Sequence, residues 1–381
     1  MTGTIDVPPG LRNVVVTNTE LGDVRGSEGF YHYRQYSAIE LARSKTLEEV
    51  WFLLLEGRLP EPAETARLRD ELAPLRELPA ELAALLPAIA TTGERFDALA
   101  GLRTALSMFG MARGVPPMLD TDEARRKANT LAICAVTPTI LAALYRLRRG
   151  LAPLRPRPDL SAAANWLYLV TGTEPAPAQV RAIEQYLIAT IDHGFNASTF
   201  TARVVASTGS DPVSAVSAAI GAFAGPLHGG APDRALASLD EIGTADRIRP
   251  WVRARVAAGD RIMGFGHAVY RTEDPRSALL REIALTLGGE LAEFATAVER
   301  GVVEALAELK PGRELYANVE FYAGVVMSQC GLPREMFTPT FATSRVIGWC
   351  ANVLEQARDG KIIRPAARYT GPAPTVEHAP S

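Results

Sequence analysis

From Tyr36 onward the chain reads as one helical segment after another, and this succession limits the fold more than any other feature. The clearest start is T-L-E-E at 46–49. It has the spacing of a capping box, in which a threonine hydroxyl and the glutamate three residues on each serve the other's backbone N–H. The apolar V-W-F-L-L-L-E follows and stops at Gly57, with Pro60 beyond. Helical periodicity recurs over 63–77, 79–90, 96–111, 122–148, 160–171 and 177–192, each bounded by Pro, Gly or Asp. Asp211-Pro212 opens a helix that ends near Gly225-Pro226. Further helices are expected over 244–258, 275–287, 290–309, 314–330 and 340–358. Residues 1–30 lack this period, and 14–16 with the following T-N-T-E-L-G-D-V-R-G are expected to give a short strand and turns. No second alternating run is long enough to build a sheet, so the expected class is all-α.

At 381 residues the chain exceeds one ordinary core, and two domains, or a large and a small lobe, are expected. The proline-rich stretch 149–159, R-G-L-A-P-L-R-P-R-P-D, reads as a stiff loop between helices, because helical content of the same kind resumes at once. A net charge of −3 without a basic tract argues against a nucleic-acid partner. Lysine occurs only at 45, 127, 310 and 361, so nearly all basic residues are arginines, and each needs a positional argument before it counts. Cys134, Cys330 and Cys350 form no C-x-x-C pair and no metal spacing, which fits a reducing compartment. The N-terminus lacks the basic and apolar regions of a signal peptide. The longest apolar run, 131–145, is too short to span a bilayer and holds Pro138. A soluble cytoplasmic protein with no membrane partner is expected. The Pro- and Ala-rich tail after Arg364 is either disordered or an arm laid on a partner subunit.

The stretch R-I-M-G-F-G-H-A-V-Y-R-T-E-D-P-R, 261–276, says most about chemistry. Gly264 and Gly266 free the backbone for a close ligand approach, and His267 follows at the lip of the turn. Asp274 and Pro275 read as the N-cap and first residue of a helix, which places Arg276 where free N–H groups already favour an anion. Five histidines occur, and three lie in glycine-containing polar turns: His193 in D-H-G-F-N-A-S-T-F, His228 in G-P-L-H-G-G-A, and His267. A histidine at a helix end is often a dipole partner only; that account does not extend to the flanking glycines of all three. His32 and the tail's His378 have no such setting. No histidine pair has the spacing of a metal site. On the anion side stand Arg276, Arg345, which is a single charge in the apolar run 336–354, and Arg364 before the tail. Structural salt bridges could absorb any one of them. Glu320 lies between Val319 and Phe321, where desolvation would make it a usable base; an exposed helical glutamate is the plainer alternative.

These segments resemble the citrate synthase family in order and spacing: G-P-L-H-G-G-A, M-G-F-G-H-A-V-Y-R-T-E-D-P-R, N-V-E-F-Y-A-G-V-V and F-T-P-T-F-A-T-S-R-V-I-G-W. The N-terminal G-L-R-N-V-V-V-T-N-T-E-L-G-D-V-R-G with Y-R-Q-Y, the His193 segment and the terminal I-I-R-P-A-A-R-Y-T-G-P extend the likeness over almost the whole chain, in the manner of the short bacterial and archaeal members. The resemblance implies a helical homodimer whose large domain, 1–228 with 335–381, closes on a smaller mobile domain, 229–334. It implies condensation of acetyl-CoA with oxaloacetate, with the coenzyme A thioester as co-substrate and no permanently bound cofactor. Carried over, His228 stabilises the enol of the thioester, His267 polarises the ketone, and His193, Arg276 and Arg345 hold the carboxylates. Arg364 reaches in from the neighbouring subunit, and Ile262, Met263, Gly264, Phe265, Gly266 and Arg271 approach coenzyme A.

This sequence departs from the family pattern in three places. The base, usually an aspartate in N-V-D-F, is Glu320; the turn usually reading G-G-A-N holds Gly230-Ala231-Pro232; and Ala268 stands where many short members carry arginine. Three readings stand: a working citrate synthase; a 2-methylcitrate synthase using propionyl-CoA, or an enzyme accepting both thioesters; and a low-activity paralogue that binds coenzyme A thioesters, which the added methylene at Glu320 favours and the intact His and Arg set disfavours. A single methylene in an apolar pocket is worth only about 1–3 kcal/mol, and no residue separates the first two.

Overall fold

The structure, a computed structural model, describes residues 5–226, 228, 232–267, 269–312 and 314–372, with the backbone alone for 232–234. Ala268, the Gly230-Ala231 turn and His378 lie outside the described residues.

The described chain is helical. In order the helices are α1 (Ala38–Ser44), α2 (Leu47–Glu56), α3 (Pro62–Leu75), α4 (Ala80–Thr91), α5 (Ala98–Ala112), α6 (Glu123–Arg148), α7 (Ala162–Thr171) and α8 (Pro177–Thr190). After them come α9 (Ala197–Ala206), α10 (Pro212–Phe223), α11 (Pro232–Ile242), α12 (Ile248–Ala257), α13 (Pro275–Leu287), α14 (Glu290–Leu309), α15 (Val319–Gln329) and α16 (Phe337–Asp359). The capping box opens α2 as the spacing requires, and Gly57 closes it in the left-handed region. Asp211 and Asp274 cap α10 and α13. The stretch 149–159 is the loop between α6 and α7.

Three expectations change. The strand is not at 14–16, where Val15 is exposed; β1 (Gly22–Arg25), β2 (Phe30–Tyr33) and β3 (Tyr36–Ser37) form a small antiparallel sheet instead. Its anchor is the alternation in F-Y-H-Y, which turns Tyr31 and Tyr33 into the core. Two helices were not expected: α9, which begins inside the polar turn read around His193, and α11, over a stretch given no assignment. The sequence of α9, A-S-T-F-T-A-R-V-V-A, is rich in β-branched residues of low helix propensity; packing against α10 and α16 overrides it. Finally, α15 begins at Val319 and not near 314, because Ala317 pairs with Phe265 in a β-bridge and Asn318 caps the helix.

The core gathers around α6 and α16, both buried on nearly every side from Asn129 to Leu144 and from Phe337 to Val353. Helix α6 is long and apolar enough to cross a membrane by length and composition, but 78% of that window is buried inside the chain. Helices α11 to α15 pack on one another, and α13 and α15 meet the rest across α8. Beyond α16 the chain runs as an exposed arm beside the N-terminal segment, where Arg368 pairs with Asp6 at 2.5 Å.

Candidate active site

The site begins where α8 ends. A helix leaves its last carbonyls without partners, and here side chains from two elements take them. Tyr31 Oη donates to Ala189 O (2.8 Å), Tyr33 Oη to Ile188 O (2.9 Å) and Asp192 O (3.0 Å), and Arg345 Nε to Thr190 O (3.0 Å). Gly348 on α16 lets the α8 end come close: a Cβ there would lie 2.1 Å from Ile191 O. His193, immediately past this junction, is therefore placed by the sheet and by α16 together. Arg345, expected to need a partner, is 2% exposed, and burial lowers its pKa while Asp192 supports the charge. Burial raises the carboxyl of Asp192 to about 6, with Arg345 pulling it back.

His267 is set by backbone. Gly266 N donates to Tyr316 O (2.8 Å), and Asn318 N to Gly264 O (2.8 Å), so the turn is pinned to the start of α15. Both glycines have φ near +85°, a region that side chains resist, and a Cβ on Gly264 would press at 3.1 Å on Phe321. Nδ1 of His267 accepts the N–H groups of Val269 (3.0 Å) and Tyr270 (3.1 Å), so the neutral ring carries its proton on Nε2. Burial, then the charge of Arg276, hold this ring down at about 4, Asp274 opposing them. His267 Nε2 lies 3.2 Å from Arg276 Nη2. Both are donors, and an acceptor oxygen placed before them satisfies both at once.

Arg276, 3% exposed, is held by Asp274. Oδ1 of Asp274 accepts the backbone N–H and Nε of Arg276, both at 3.0 Å; Oδ2 accepts Nη2 at 2.8 Å and the N–H of Val319 at 3.2 Å. Burial opposes the Arg276 charge, yet Asp274 outweighs it and the net shift is upward. One carboxylate thus joins the arginine to the first turn of α15. The sequence showed Asp274 as a helix cap; its second role required knowing that α15 arrives beside it.

His228 follows α10, and its Nε2 accepts the N–H of Ser198 (3.3 Å) in the first turn of α9, 2.8 Å from Ser198 Oγ. A backbone N–H needs a lone pair, so the proton of this ring is on Nδ1. Burial, then Arg345, hold its pKa at about 4. Ser198, which also receives Trp349 Nε1 at 3.2 Å, was not singled out because α9 itself was not expected. His193 is pressed well below its ordinary value, by burial first and then by Arg276, Arg345 and His267. Its Nε2 is 2.9 Å from Tyr270 Oη. All three imidazoles are neutral donors near pH 7. Glu320 sits half-buried in the first turn of α15, its N–H held by Asn318 Oδ1 at 3.0 Å. Its charge reaches Tyr186, whose pKa is raised mainly by burial and further by Glu320.

An open cleft of about 850 Å³ lies beside His267, lined by Gly266, Tyr270, Arg271, Thr272 and Leu315 among others. Gly266 and Arg271 face it, whereas Ile262 is buried in the core and Gly264 is packed on Phe321. Met263 and Phe265 lie in the turn between them, partly buried. Arg364 stands apart on the exposed arm, in a groove with Arg203 and Glu355 that contains none of His193, His228, His267, Arg276, Arg345 and Glu320.

The buried Arg276 and Arg345, the neutral rings of His193, His228 and His267 and the half-buried Glu320 form a candidate site in this all-α fold whose donors could hold a small anion beside the larger cleft. The family model described as citrate synthase, C-terminal domain, matches residues 10–366. A citrate synthase of Deinococcus radiodurans is 38% identical over 373 residues, covering 96% of each chain. Citrate synthase from Pyrobaculum aerophilum superposes with a TM-score of 0.86 at 36% identity, covering 100% of this chain and 97% of that one. The Thermoplasma acidophilum citrate synthase, in ternary complex with carboxymethyl coenzyme A and oxaloacetate, gives 0.88 at 29% identity over 99% of both. The chain belongs to the citrate synthase family, and it is an acyltransferase of that type.

Proposed function

We propose that this enzyme condenses acetyl-CoA with oxaloacetate and water to give citrate and free coenzyme A. The observation that carries the reading is the convergence of His267 Nε2–H and Arg276 Nη2, 3.2 Å apart, on a point that calls for an acceptor oxygen. The ketone of oxaloacetate meets that need, and Arg276, Arg345 and His193 hold its carboxylates. The Glu320 carboxylate takes the α-proton of the thioester, while His228 donates from Nδ1 to the thioester oxygen as charge develops there. The enol carbon bonds to the ketone carbon, whose oxygen takes the proton from His267. Water then cleaves the thioester of the product. Coenzyme A lies in the cleft beside Gly266 and Arg271 as a co-substrate and not a resident group. Closure of the smaller domain, 229–334, over the larger would keep water from the enol.

Thiol release from acetyl-CoA in the presence of oxaloacetate, compared with propionyl-CoA by kcat/KM, tests this. Preference for acetyl-CoA is expected; no release with either removes the proposal. We infer further that the chain works as a homodimer in the cytoplasm, with Arg364 completing the site of its neighbour. Its separation from the cluster of its own chain supports this. Mixing Arg364→Ala with His267→Ala subunits should restore activity, since one site per heterodimer is whole; no recovery in proven heterodimers places Arg364 in its own subunit's site.

A further inference from the structure

The geometry points to Tyr270 as an additional residue that binds the oxo acid, a reading that rests on the function proposed above. Tyr270 is 4% exposed and meets three of the groups assigned to that substrate, His267, His193 and Arg276. Its N–H fixes the tautomer of His267. Its ring centroid is 4.8 Å from that of His267 and 5.6 Å from that of His193, and the Arg276 guanidinium carbon lies 5.7 Å from it. Its hydroxyl lies 2.9 Å from His193 Nε2.

A phenol has one proton to give and lone pairs to receive. This role requires the proton of neutral His193 on Nε2, where it donates to the tyrosine oxygen, so that His193 reaches the carboxylate through Tyr270 and not directly. The phenolic O–H then remains free to donate into the same donor array as His267 Nε2 and Arg276 Nη2. Burial, the largest influence on this phenol, keeps it protonated and so a donor at neutral pH. A chain from imidazole N–H through phenol O–H to a carboxylate oxygen strengthens each link by polarisation. The ligand class it selects is a short dicarboxylate with an adjacent ketone.

Tyr270→Phe removes this one oxygen and keeps the ring, its packing and the backbone N–H that holds His267. Calorimetric titration with oxaloacetate alone should show Kd rising about tenfold or more, the scale for a hydrogen bond to a charged group. The rise in Kd for oxaloacetate should exceed any change in KM for acetyl-CoA or in kcat at saturating oxaloacetate, which separates a substrate contact from a general loss of structure. An unchanged or tighter Kd overturns the proposal. Should the phenylalanine variant fold poorly, 2,3-difluorotyrosine at position 270 provides a stronger donor of nearly the same shape and should tighten binding; no tightening overturns it as well. If the wild-type enzyme binds oxaloacetate and releases thiol while the variants match it, only the role of Tyr270 fails. If the wild type binds no oxaloacetate, both readings fail together.

Discussion

Replacing Asp274 by asparagine should cost this enzyme as much stability as a large core truncation, and the amount follows from four hydrogen bonds. Its Oδ1 accepts the N–H and Nε of Arg276, and its Oδ2 accepts Arg276 Nη2 and the N–H of Val319. Asparagine keeps the first oxygen but sets an NH2 group against the two donors that faced the second. Arg276 is 3% exposed and Asp274 2%, so neither orphaned donor finds bulk water. Breaking a buried ion pair from one side costs about 3–5 kcal/mol, since the remaining charge is left uncompensated. Urea denaturation of Asp274→Asn should show a loss of that order. The double variant Asp274→Asn with Arg276→Met removes both charges, keeps Oδ1 on the backbone N–H of position 276 and leaves only the Val319 N–H orphaned, about 1–3 kcal/mol. It should therefore be more stable than the single variant, yet inactive. A loss below about 1 kcal/mol for Asp274→Asn, or a double variant less stable than the single, would refute this account of how Arg276 is held.

Stability should also depend on acid in a defined window. His228 and His267 each have a folded pKa near 4 against an ordinary value of 6.5. Between those values the unfolded chain binds more protons than the folded one, so stability is full above about pH 6.5 and falls as pH drops towards 4. Thermal melts at stepped pH should show this slope, and His228→Gln and His267→Gln should each flatten it; an unchanged slope would mean the rings titrate normally in the fold. Gly348→Ala drives a Cβ to within 2.1 Å of Ile191 O, a backbone atom that cannot step aside. The α8–α16 junction must then open, costing about 1–3 kcal/mol or more as for overpacked cores, and oxaloacetate affinity should fall further than that for acetyl-CoA, because His193 and Arg345 meet at that junction. Equal effects on both substrates would argue against that placement.

The features legible in the sequence were those that local chemistry fixes. The capping box of α2, the Asp-Pro starts of α10 and α13, and the glycine turn before His267 all depend on neighbours a few residues away. The histidines and arginines stood out because glycines or apolar runs surrounded them. What stayed hidden depends on distant segments. No local pattern tells that Tyr31 and Tyr33 cap a helix ending more than 150 residues later. Nor does one tell that a weak helix former such as α9 is held by α10 and α16, or that its Ser198 then sets the proton of His228. Asp274 was visible as a cap and invisible as the partner of Val319 for the same reason.

Glu320 is where sequence and structure together make the sharpest demand. Relative to aspartate it carries the carboxylate one C–C bond, about 1.5 Å, further from the backbone. A shift of α15 could absorb that length only if its first turn were free to move, and it is not. Asn318 Nδ2 donates to Gly266 O at 3.0 Å, and the N–H of Val319 to Asp274 Oδ2 at 3.2 Å, so the residues before Glu320 are tied to the loop of His267 and to the partner of Arg276. The extra reach must then be taken up by the side chain itself, with the site shaped around it. Glu320→Gln retains size and hydrogen bonding but removes the base, and should cut kcat steeply while leaving oxaloacetate affinity nearly unchanged. Glu320→Asp withdraws the carboxylate from a fixed backbone. A displacement of about 1 Å at a reacting group costs on the order of 10²-fold, so this variant should slow turnover by at least that factor. If Glu320→Asp is as fast as the wild type or faster, the site is not built around the longer side chain. If Glu320→Gln keeps near wild-type kcat, another group takes the proton.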